Sequence, residues 1–240
     1  MLQIVKAFQF QFESLQASSL CARRELSWAA LFCWGCLFLC LEHSGSAAQA
    51  QDFLQNFDGQ EVSCKVSFDP KNIKLTTHER NQSLAFSGQA AERFQFQARK
   101  DDVFVVIESD IEPTRIFEDL SISIVVFANR PGTQLVARVV FPGQTDPETR
   151  KPLTKLLHGD ILEKATTWQK LICDTSDKNL TKHLVLWRAS LIPQVLDPRG
   201  MYIDKIYLKQ TIGRGLTEIL VDDLHVFPVV SPAQVEQFAT

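Results

Sequence analysis

The chain has 240 residues and a formal net charge of -3, a balance that disfavours nucleic acid or another polyanion as its partner. Hydrophobic residues make up 45% of the sequence and charged residues 22%, which supports a buried core rather than a disordered chain. The composition therefore predicts a folded globular protein.

The first fifty residues differ from the rest of the sequence. Arg23 and Arg24 precede an apolar run at residues 26–41, and small residues with an Ala-x-Ala ending lead to Ala50. These are the features of an export signal. We predict that residues 1–50 hold an N-terminal extension and a signal peptide cleaved after Ala50, which makes the protein secreted, periplasmic or bound to the cell surface. A helix needs about 20 apolar residues to span a bilayer, and this run is shorter. The alternative is an uncleaved signal anchor, which is the one way in which we predict that the protein could be bound to a membrane.

Two of the six cysteines, Cys64 and Cys173, lie after the predicted cleavage site. In an oxidising compartment they would form one disulfide. Alternatively, they are two buried thiols that act as small apolar side chains. The sequence leaves both alternatives open.

From residue 51 onward the sequence consists mostly of short apolar–polar alternations between turn signals. These alternations predict strands at residues 53–57, 62–68, 73–77, 83–86, 94–98, 103–108, 120–128, 134–141, 168–173, 201–208 and 216–227. A polar segment at residues 143–166 predicts a long loop. Residues 176–193 fit either a strand or a helix, and a helix with Ser176 or Asp177 as its N-cap is slightly favoured.

Three pairs of consecutive strands are predicted to form antiparallel hairpins. Glycine and Pro-Gly sequences provide the turn chemistry for tight reversals. The predicted turns lie at residues 100–102, 129–132 and 213–215. Many short strands with at most one helix predict an all-β, two-sheet jelly-roll β-sandwich at residues 51–230, followed by a tail at residues 231–240.

Several phrases of the sequence resemble a known group of binding modules. Phe57-Asp58-Gly59, Ser87-Gly88, Trp168-Gln169-Lys170-Leu171 and Val221-Asp222-Asp223-Leu224 resemble carbohydrate-binding jelly-roll modules of the galactose-binding-like type. Residues 129–153 and 201–208 are also similar to the amino-terminal module of large secreted proteins from planctomycete bacteria, some of which continue into a glycosidase-like barrel. The resemblance covers nearly all of residues 52–230. It implies a noncatalytic module whose partner is a polysaccharide or another glycan.

The candidate ligand contacts are Gln134, Arg138, Tyr202 and Asp204. Gln134 and Arg138 share one face of their predicted strand, while Tyr202 and Asp204 alternate with residues such as Lys205 that point the other way. An aromatic ring beside forked polar groups suits the apolar face and the hydroxyl groups of a sugar. The alternative is a structural salt bridge between Arg138 and Asp204 with Tyr202 packed over it.

Asp222 and Asp223 lie side by side in an otherwise apolar strand, where unsatisfied carboxylates cost free energy. The resemblance to calcium-holding jelly rolls implies a structural Ca²⁺ that joins the first and last strands. Asp222 is then the first ligand, and Asp223 and Asp58 are the next, with turn carbonyls completing the oxygen shell. The alternative is that Asp222 and Asp223 bind backbone N–H groups or nearby basic side chains.

The sequence lacks Gly-x-Ser-x-Gly, His-Glu-x-x-His and a glycine-rich phosphate loop. Acidic residues between 108 and 119 are interpreted as a turn rather than as a pair of glycosidase carboxylates. Trp168 and Trp187 are predicted to lie in the core, because large aromatic rings dominate buried surface. A noncatalytic secreted glycan-binding module is favoured. The alternatives are an amino-terminal fragment of a glycoside hydrolase and a cell-surface protein-interaction module.

Overall fold

A computed structural model of the chain describes residues 51–191 and 195–232. The predicted signal peptide, its cleavage site and residues 233–240 of the predicted tail lie outside the described residues. Between residues 51 and 232, as far as they are described, no helix is long and apolar enough to cross a membrane.

The described residues form eleven strands and one helix. In chain order these are β1 (Gln51–Gln55), β2 (Lys65–Phe68), β3 (Ile73–Asn81), β4 (Ala91–Ala98), β5 (Val103–Arg115), β6 (Ser121–Ala128), β7 (Gln134–Thr145), β8 (Pro152–Ile161), β9 (Gln169–Asp174), α1 (Asp177–Ser190), β10 (Tyr202–Ile212) and β11 (Gly215–Val229). The first sheet has the order β3-β4-β11-β6-β9, and β1 also pairs with β11. The second sheet has the order β2-β5-β10-β7-β8.

The core lies between the two sheets and is supplied by alternate residues of their strands. Along β7, Leu135, Ala137, Val139 and Phe141 are all fully buried. Burying a Leu or Phe side chain contributes about 1.5–3 kcal/mol each, so such rows drive the packing of one sheet on the other. The predicted fold class, an all-β two-sheet jelly-roll sandwich with one short helix, is confirmed.

The three predicted hairpins are wrong. β4 lies in the first sheet and β5 in the second; β6 and β7 are divided in the same way, and so are β11 and β10. Each predicted turn is therefore a crossing from one sheet to the other. Alternation shows which face of a strand is buried but not which strand lies beside it, and both arrangements bury the same apolar positions.

The three crossings are joined to one another at one end of the sandwich. The Arg130 guanidinium donates a hydrogen bond to the Arg214 carbonyl at 2.9 Å, and the Arg214 backbone N–H donates to the Asp101 carboxylate at 2.7 Å. The polar turn residues thus tie the crossings together instead of reversing single strands.

The predicted loop at residues 143–166 is also wrong, because β7 extends to Thr145 and pairs with β8 in a true hairpin. The Asp146 carboxylate closes this hairpin by accepting the backbone N–H groups of Glu148 and Thr149 at 2.8 and 3.0 Å. Strand β8 escaped prediction because it contains Pro152 and the Gly159-Asp160 pair, which are signals of irregular structure. Residues 83–86, predicted as a strand, lie in the loop that leads from β3 to β4.

Helix α1 confirms the favoured interpretation of residues 176–193, although Ser176 makes no side-chain capping bond. Trp187 is buried and packs edge-on against Phe141, with ring centroids 5.9 Å apart, so its predicted core position is confirmed. Trp168 is not in the core. It is half-buried on the outer side of the first sheet, beside Phe127.

Cys64 and Cys173 are free and buried. The structure therefore agrees with the alternative of two buried thiols and not with a disulfide. Burial raises the pKa of both thiols, that of Cys173 to about 12. The two side chains therefore stay protonated and belong to the apolar core.

Candidate functional site

The four predicted ligand contacts lie together on the outer face, which we define as the side of the second sheet that points away from the core. Gln134 and Arg138 come from β7, and Tyr202 and Asp204 come from the neighbouring strand β10. All four side chains are half-buried. The structure thus brings the predicted residues together on a rigid sheet, and their contact with a ligand stays a prediction.

A β-bulge in β10 changes which residues join this face. The register of β10 shifts between Ile203 and Lys205 against both neighbouring strands. A bulge inserts one extra residue into a strand. The side chains that follow it therefore point to the opposite face from the one that uninterrupted alternation predicts. Lys205 accordingly points outward, contrary to prediction, and Tyr207 and Lys209 follow it onto the outer face, while Ile206 is buried in the core. The two adjacent charged residues at positions 204 and 205 are the sequence signal that could have revealed the shift.

Two tyrosines flank an apolar strip on this face. Tyr202 pairs with Val140, and Tyr207 pairs with Val136. Both valines are nearly or fully buried although they point away from the core, so neighbouring outer-face side chains cover them. Burial raises the pKa of Tyr202 and of Tyr207, so both phenols keep a proton that can be donated. An aromatic ring with a polar tip can stack on a sugar and hydrogen-bond to it.

Arg138 and Asp204 form a bidentate salt bridge beside Tyr202. The Arg138 Nε donates to Asp204 Oδ1 at 2.7 Å, and a terminal nitrogen donates to Oδ2 at 2.5 Å. The hydrogen bonds with Asp204 raise the pKa of Arg138. The two side chains are 27% and 20% exposed, so water reaches both of them. The salt bridge of the structural alternative is therefore present, and the remaining N–H groups and carboxylate lone pairs are still available to a ligand.

The β5 side of the face holds two acids in one ionic network. Lys205 contacts Glu108 and Asp110, and Lys65 lies 2.5 Å from Asp110. The prediction of an acidic turn is wrong for these two acids, since both lie within β5. The hydrogen bonds from Lys205 and Lys65 hold the pKa of Asp110 below its usual value. A glycosidase acid requires a raised pKa, so Asp110 is unsuited to that role.

The three predicted calcium ligands lie near the loop between β3 and β4. Asp222 is fully buried and accepts the backbone N–H groups of Phe86 and Ser87 at 2.9 and 3.0 Å. Asp223 accepts the Ser87 hydroxyl at 2.8 Å, and Asp58 accepts the Ala90 N–H at 3.1 Å. Burial raises the pKa of Asp222, although these N–H donors oppose the rise.

Asp222 is bonded as the backbone-bonding alternative describes, whereas Asp223 accepts a side-chain hydroxyl group. In the described part of the chain no three His, Cys, Asp or Glu side chains are placed to hold a metal ion. The calcium ion stays a prediction with a direct test. Melting of the protein in calcium and in chelator would reject the ion if the midpoints agree, and would support it if calcium raises the midpoint only while Asp222 is intact.

Sequence reasoning missed a buried ionic cluster around Glu92. This carboxylate is fully buried and accepts the backbone N–H groups of Ser63 and Cys64, each at 3.0 Å. The His78 Nε2 lies 2.7 Å from it, and an Arg80 nitrogen lies 2.7 Å away in poor hydrogen-bonding geometry. Burial opposes ionisation, but these partners hold the pKa of Glu92 below its usual value. The cluster ties the segment before β2 to the first sheet, and its role is structural.

A concavity of about 440 Å³ lies at the edge where β1 approaches β5. It is lined by Phe53, Leu54, Gln55, Asn56, Ser63, Ser109 and Asp110. Apart from Asp110 its lining lies off the outer face, and it contains neither tyrosine. The outer face, which carries both tyrosines, is the better candidate for a chain-like ligand.

Comparison with solved structures found chains of similar architecture at low identity. A carbohydrate-binding module of the β-sandwich superfamily matches with a TM-score of 0.45 and 14% identity, over 71% of this chain and 60% of its own. The family 11 module of the cellulase Lic26A-Cel5E of Clostridium thermocellum matches with a TM-score of 0.44 and 7% identity, over 75% and 96% of the two chains. TmCBM61, solved with β-1,4-galactotriose, matches with a TM-score of 0.39 and 13% identity, over 72% and 94%.

The described fold thus spans less than two thirds of the first of these chains. No protein-family model matches the sequence, and no curated protein matches it. Identities and scores this low assign neither a ligand nor a binding residue to this chain.

Proposed function

We propose that the protein is a secreted, noncatalytic carbohydrate-binding module that holds a polysaccharide along the outer face of its second sheet. The observation that carries this proposal is the placement of the tyrosines. The whole sequence contains two, and Tyr202 and Tyr207 both lie on this one face, each beside a covered valine. Two aromatic rings on one face of a sheet suit the repeated sugar units of a polysaccharide.

The polar groups beside the rings support the same ligand class. Arg138 and Asp204 hold each other in a fixed orientation, with hydrogen-bonding capacity left over on both partners. Side chains held by packing and mutual bonds lose little freedom when a ligand binds. The hydrogen bonds from Lys205 and Lys65 hold the pKa of Asp110 below its usual value, so this nearby acid is an ionised acceptor for sugar hydroxyl groups.

Affinity electrophoresis of the mature protein through gels containing mixed-linkage glucan, galactan, xylan or mannan tests the proposal. We expect at least one polymer to retard the protein without release of reducing sugar. Tyr202→Ala combined with Tyr207→Ala should abolish the retardation. Phe86→Ala, an exposed aromatic change in the loop between β3 and β4, is the matched control and should leave the retardation unchanged. Equal retardation of all three proteins would place the ligand elsewhere, and release of reducing sugar would favour a hydrolase.

Export is part of the proposal and has its own measurement. Mass spectrometry of the protein recovered from the producing cells should give an amino terminus at Gln51. Recovery of an intact residue 26–41 segment in the membrane fraction would establish an anchor instead.

A further inference from the structure

Basic side chains from three elements meet at the β8 side of the outer face. Lys209 of β10 pairs with Gln134 of β7, and His158 of β8 lies one diagonal position away, opposite Val136. His183 of α1 stacks on His158, with ring centroids 6.3 Å apart. The strand register and this ring contact therefore place Lys209, His158 and His183 in one group, which we call the basic end.

Within the part of the chain that the structure describes, the basic end differs from the rest of the face in having no acidic partner. Elsewhere on the face Lys65, Lys205 and Arg138 each contact a carboxylate. Among the described residues no carboxylate lies within 4.0 Å of a nitrogen of Lys209, His158 or His183. Lys209 instead lies over the Tyr207 ring, with its Nζ 5.6 Å from the centroid.

The environment penalises positive charge at this end. Burial lowers the pKa of Lys209, and burial together with the Lys209 charge lowers the pKa of His158. Burial lowers the pKa of His183 as well, followed by the charges of His158 and Lys182. A bound anion would relieve this repulsion, because an opposite charge favours the protonated form of each group.

Gln134 fixes the orientation of the His158 ring. The Gln134 amide nitrogen donates to the Gly159 carbonyl at 3.3 Å, so its Oε1 is the atom that lies 3.4 Å from His158 Nδ1. An amide oxygen only accepts, so this contact favours the form of the ring that carries its proton on Nδ1. This leaves Nε2 free, and in the protonated ring Nε2 is a charged donor.

We propose that Lys209, His158 and His183 form a subsite for an anionic group on the bound glycan, a carboxylate of a uronic acid or an ester sulfate. The proposal rests on the proposed function and names its ligand class, an acidic polysaccharide that stacks on Tyr207 and places a negative group against the basic end. The net charge of -3 disfavoured a polyanionic partner, but this value describes the whole chain and not the charge at one place on its surface. At the basic end the local charge is positive because the acids of this face lie beside Arg138 and towards β5.

Two matched pairs of polymers test the subsite by affinity electrophoresis of the mature protein. Homogalacturonan is compared with its fully methyl-esterified form, and dextran sulfate with dextran, so that each pair differs only in the anionic group. We expect one acidic member to bind at least about tenfold more tightly than its neutral partner, the scale of one charge-assisted hydrogen bond. A preference within the homogalacturonan pair would identify a carboxylate as the bound group, and a preference within the dextran pair would identify a sulfate. The preference should grow as the pH falls from about 7.5 to about 5.5, because anion binding takes up a proton on histidine.

Lys209→Gln and His158→Gln should each bring the ratio of the affinities for the acidic and the neutral polymer close to one. Lys170→Gln, an exposed charge change on β9 of the other sheet, should leave this ratio unchanged. Equal affinity for both members of each pair overturns the subsite and leaves glycan binding standing. Failure to bind any polymer, neutral or acidic, overturns the proposed function as well. Competition by polyglutamate as strong as by the acidic polymer would show simple ion exchange and would also overturn the subsite.

Discussion

Tyr207 of β10 stands directly opposite Val136 of β7, and this valine is fully buried although it points away from the core. The same relationship recurs between Tyr202 and Val140. Solvent-facing positions of a sheet are usually polar, so two covered valines beside the only two tyrosines of the sequence mark an organised surface. This surface is the basis of the proposed function.

Arg138→Ala should separate binding from folding. The Arg138–Asp204 pair is partly exposed, so its loss should lower the free energy of unfolding by only about 1 kcal/mol. Retention by the polysaccharide should fall about tenfold or more, because a fixed forked donor is removed. Urea unfolding and affinity electrophoresis of the same samples measure the two effects. A loss of several kcal/mol with no selective loss of binding would make Arg138 a structural partner only.

Glu92→Gln should destabilise the fold strongly. Removing the charge of a buried ion pair leaves Arg80 and His78 without their counter-ion, which costs about 3–5 kcal/mol in comparable cases. Glu218→Gln is a matched control, since Glu218 pairs with Arg93 on the partly exposed outer side of the first sheet and should cost about 1 kcal/mol or less. Chemical unfolding at neutral pH measures both changes. Equal costs for the two variants would contradict the structural role of Glu92.

The same carboxylate predicts a pH dependence. The pKa of Glu92 in the folded protein lies below its ordinary value of 4.5, so the unfolded chain binds the proton more readily. Its contribution to stability is therefore complete above that ordinary value and is lost as the pH falls through the lower, folded-state pKa. Unfolding free energies measured at about pH 7 and about pH 3.5 should differ more for the natural protein than for Glu92→Gln. If the free energy of unfolding depends on pH equally in the two proteins, Glu92 is excluded as a source of the pH dependence.

Gly88→Ala should destabilise the loop between β3 and β4. Gly88 has a φ of +60°, and an added Cβ would lie 2.3 Å from an Asp58 carboxylate oxygen. Strain at positive φ together with this clash should cost about 1–3 kcal/mol. Gly143→Ala is the control, because a Cβ there meets no atom within 4 Å. Partial rescue of Gly88→Ala by Asp58→Ala in thermal melts would identify the clash, and equal melting of the two glycine variants would contradict it.

The core face of an uninterrupted strand such as β7 was predictable because burial follows alternation, as Leu135 and Phe141 show. Strand neighbours were not predictable, since a short polar connection such as residues 129–132 permits either a hairpin or a crossing. The arginine and aspartate contacts that join the crossings become visible only in three dimensions. Strand β8 was missed because Pro152 begins it and a Gly159-Asp160 pair lies near its end, and both are signals of turns and loops.

The candidate site was predictable up to the point where its strand changes phase. Tyr202 and Asp204 precede or lie at the bulge of β10, and Gln134 and Arg138 lie on β7, so simple alternation within each strand places them. Tyr207 and Lys209 come after the bulge, where uninterrupted alternation assigns them to the wrong side. His183 was beyond prediction because it reaches His158 from a helix that is far away along the chain.

Tyrosine-selective isotope labelling followed by NMR titration tests the central claim most directly. The sequence contains two tyrosines, so the labelled protein should give two ring environments, assigned with Tyr202→Phe and Tyr207→Phe. Titration with a soluble fragment of the polysaccharide that retards the protein should shift both signals, with a saturation that matches the affinity from electrophoresis. A fragment that binds with that affinity while both tyrosine signals stay unmoved would contradict the assignment of the outer face as the binding site.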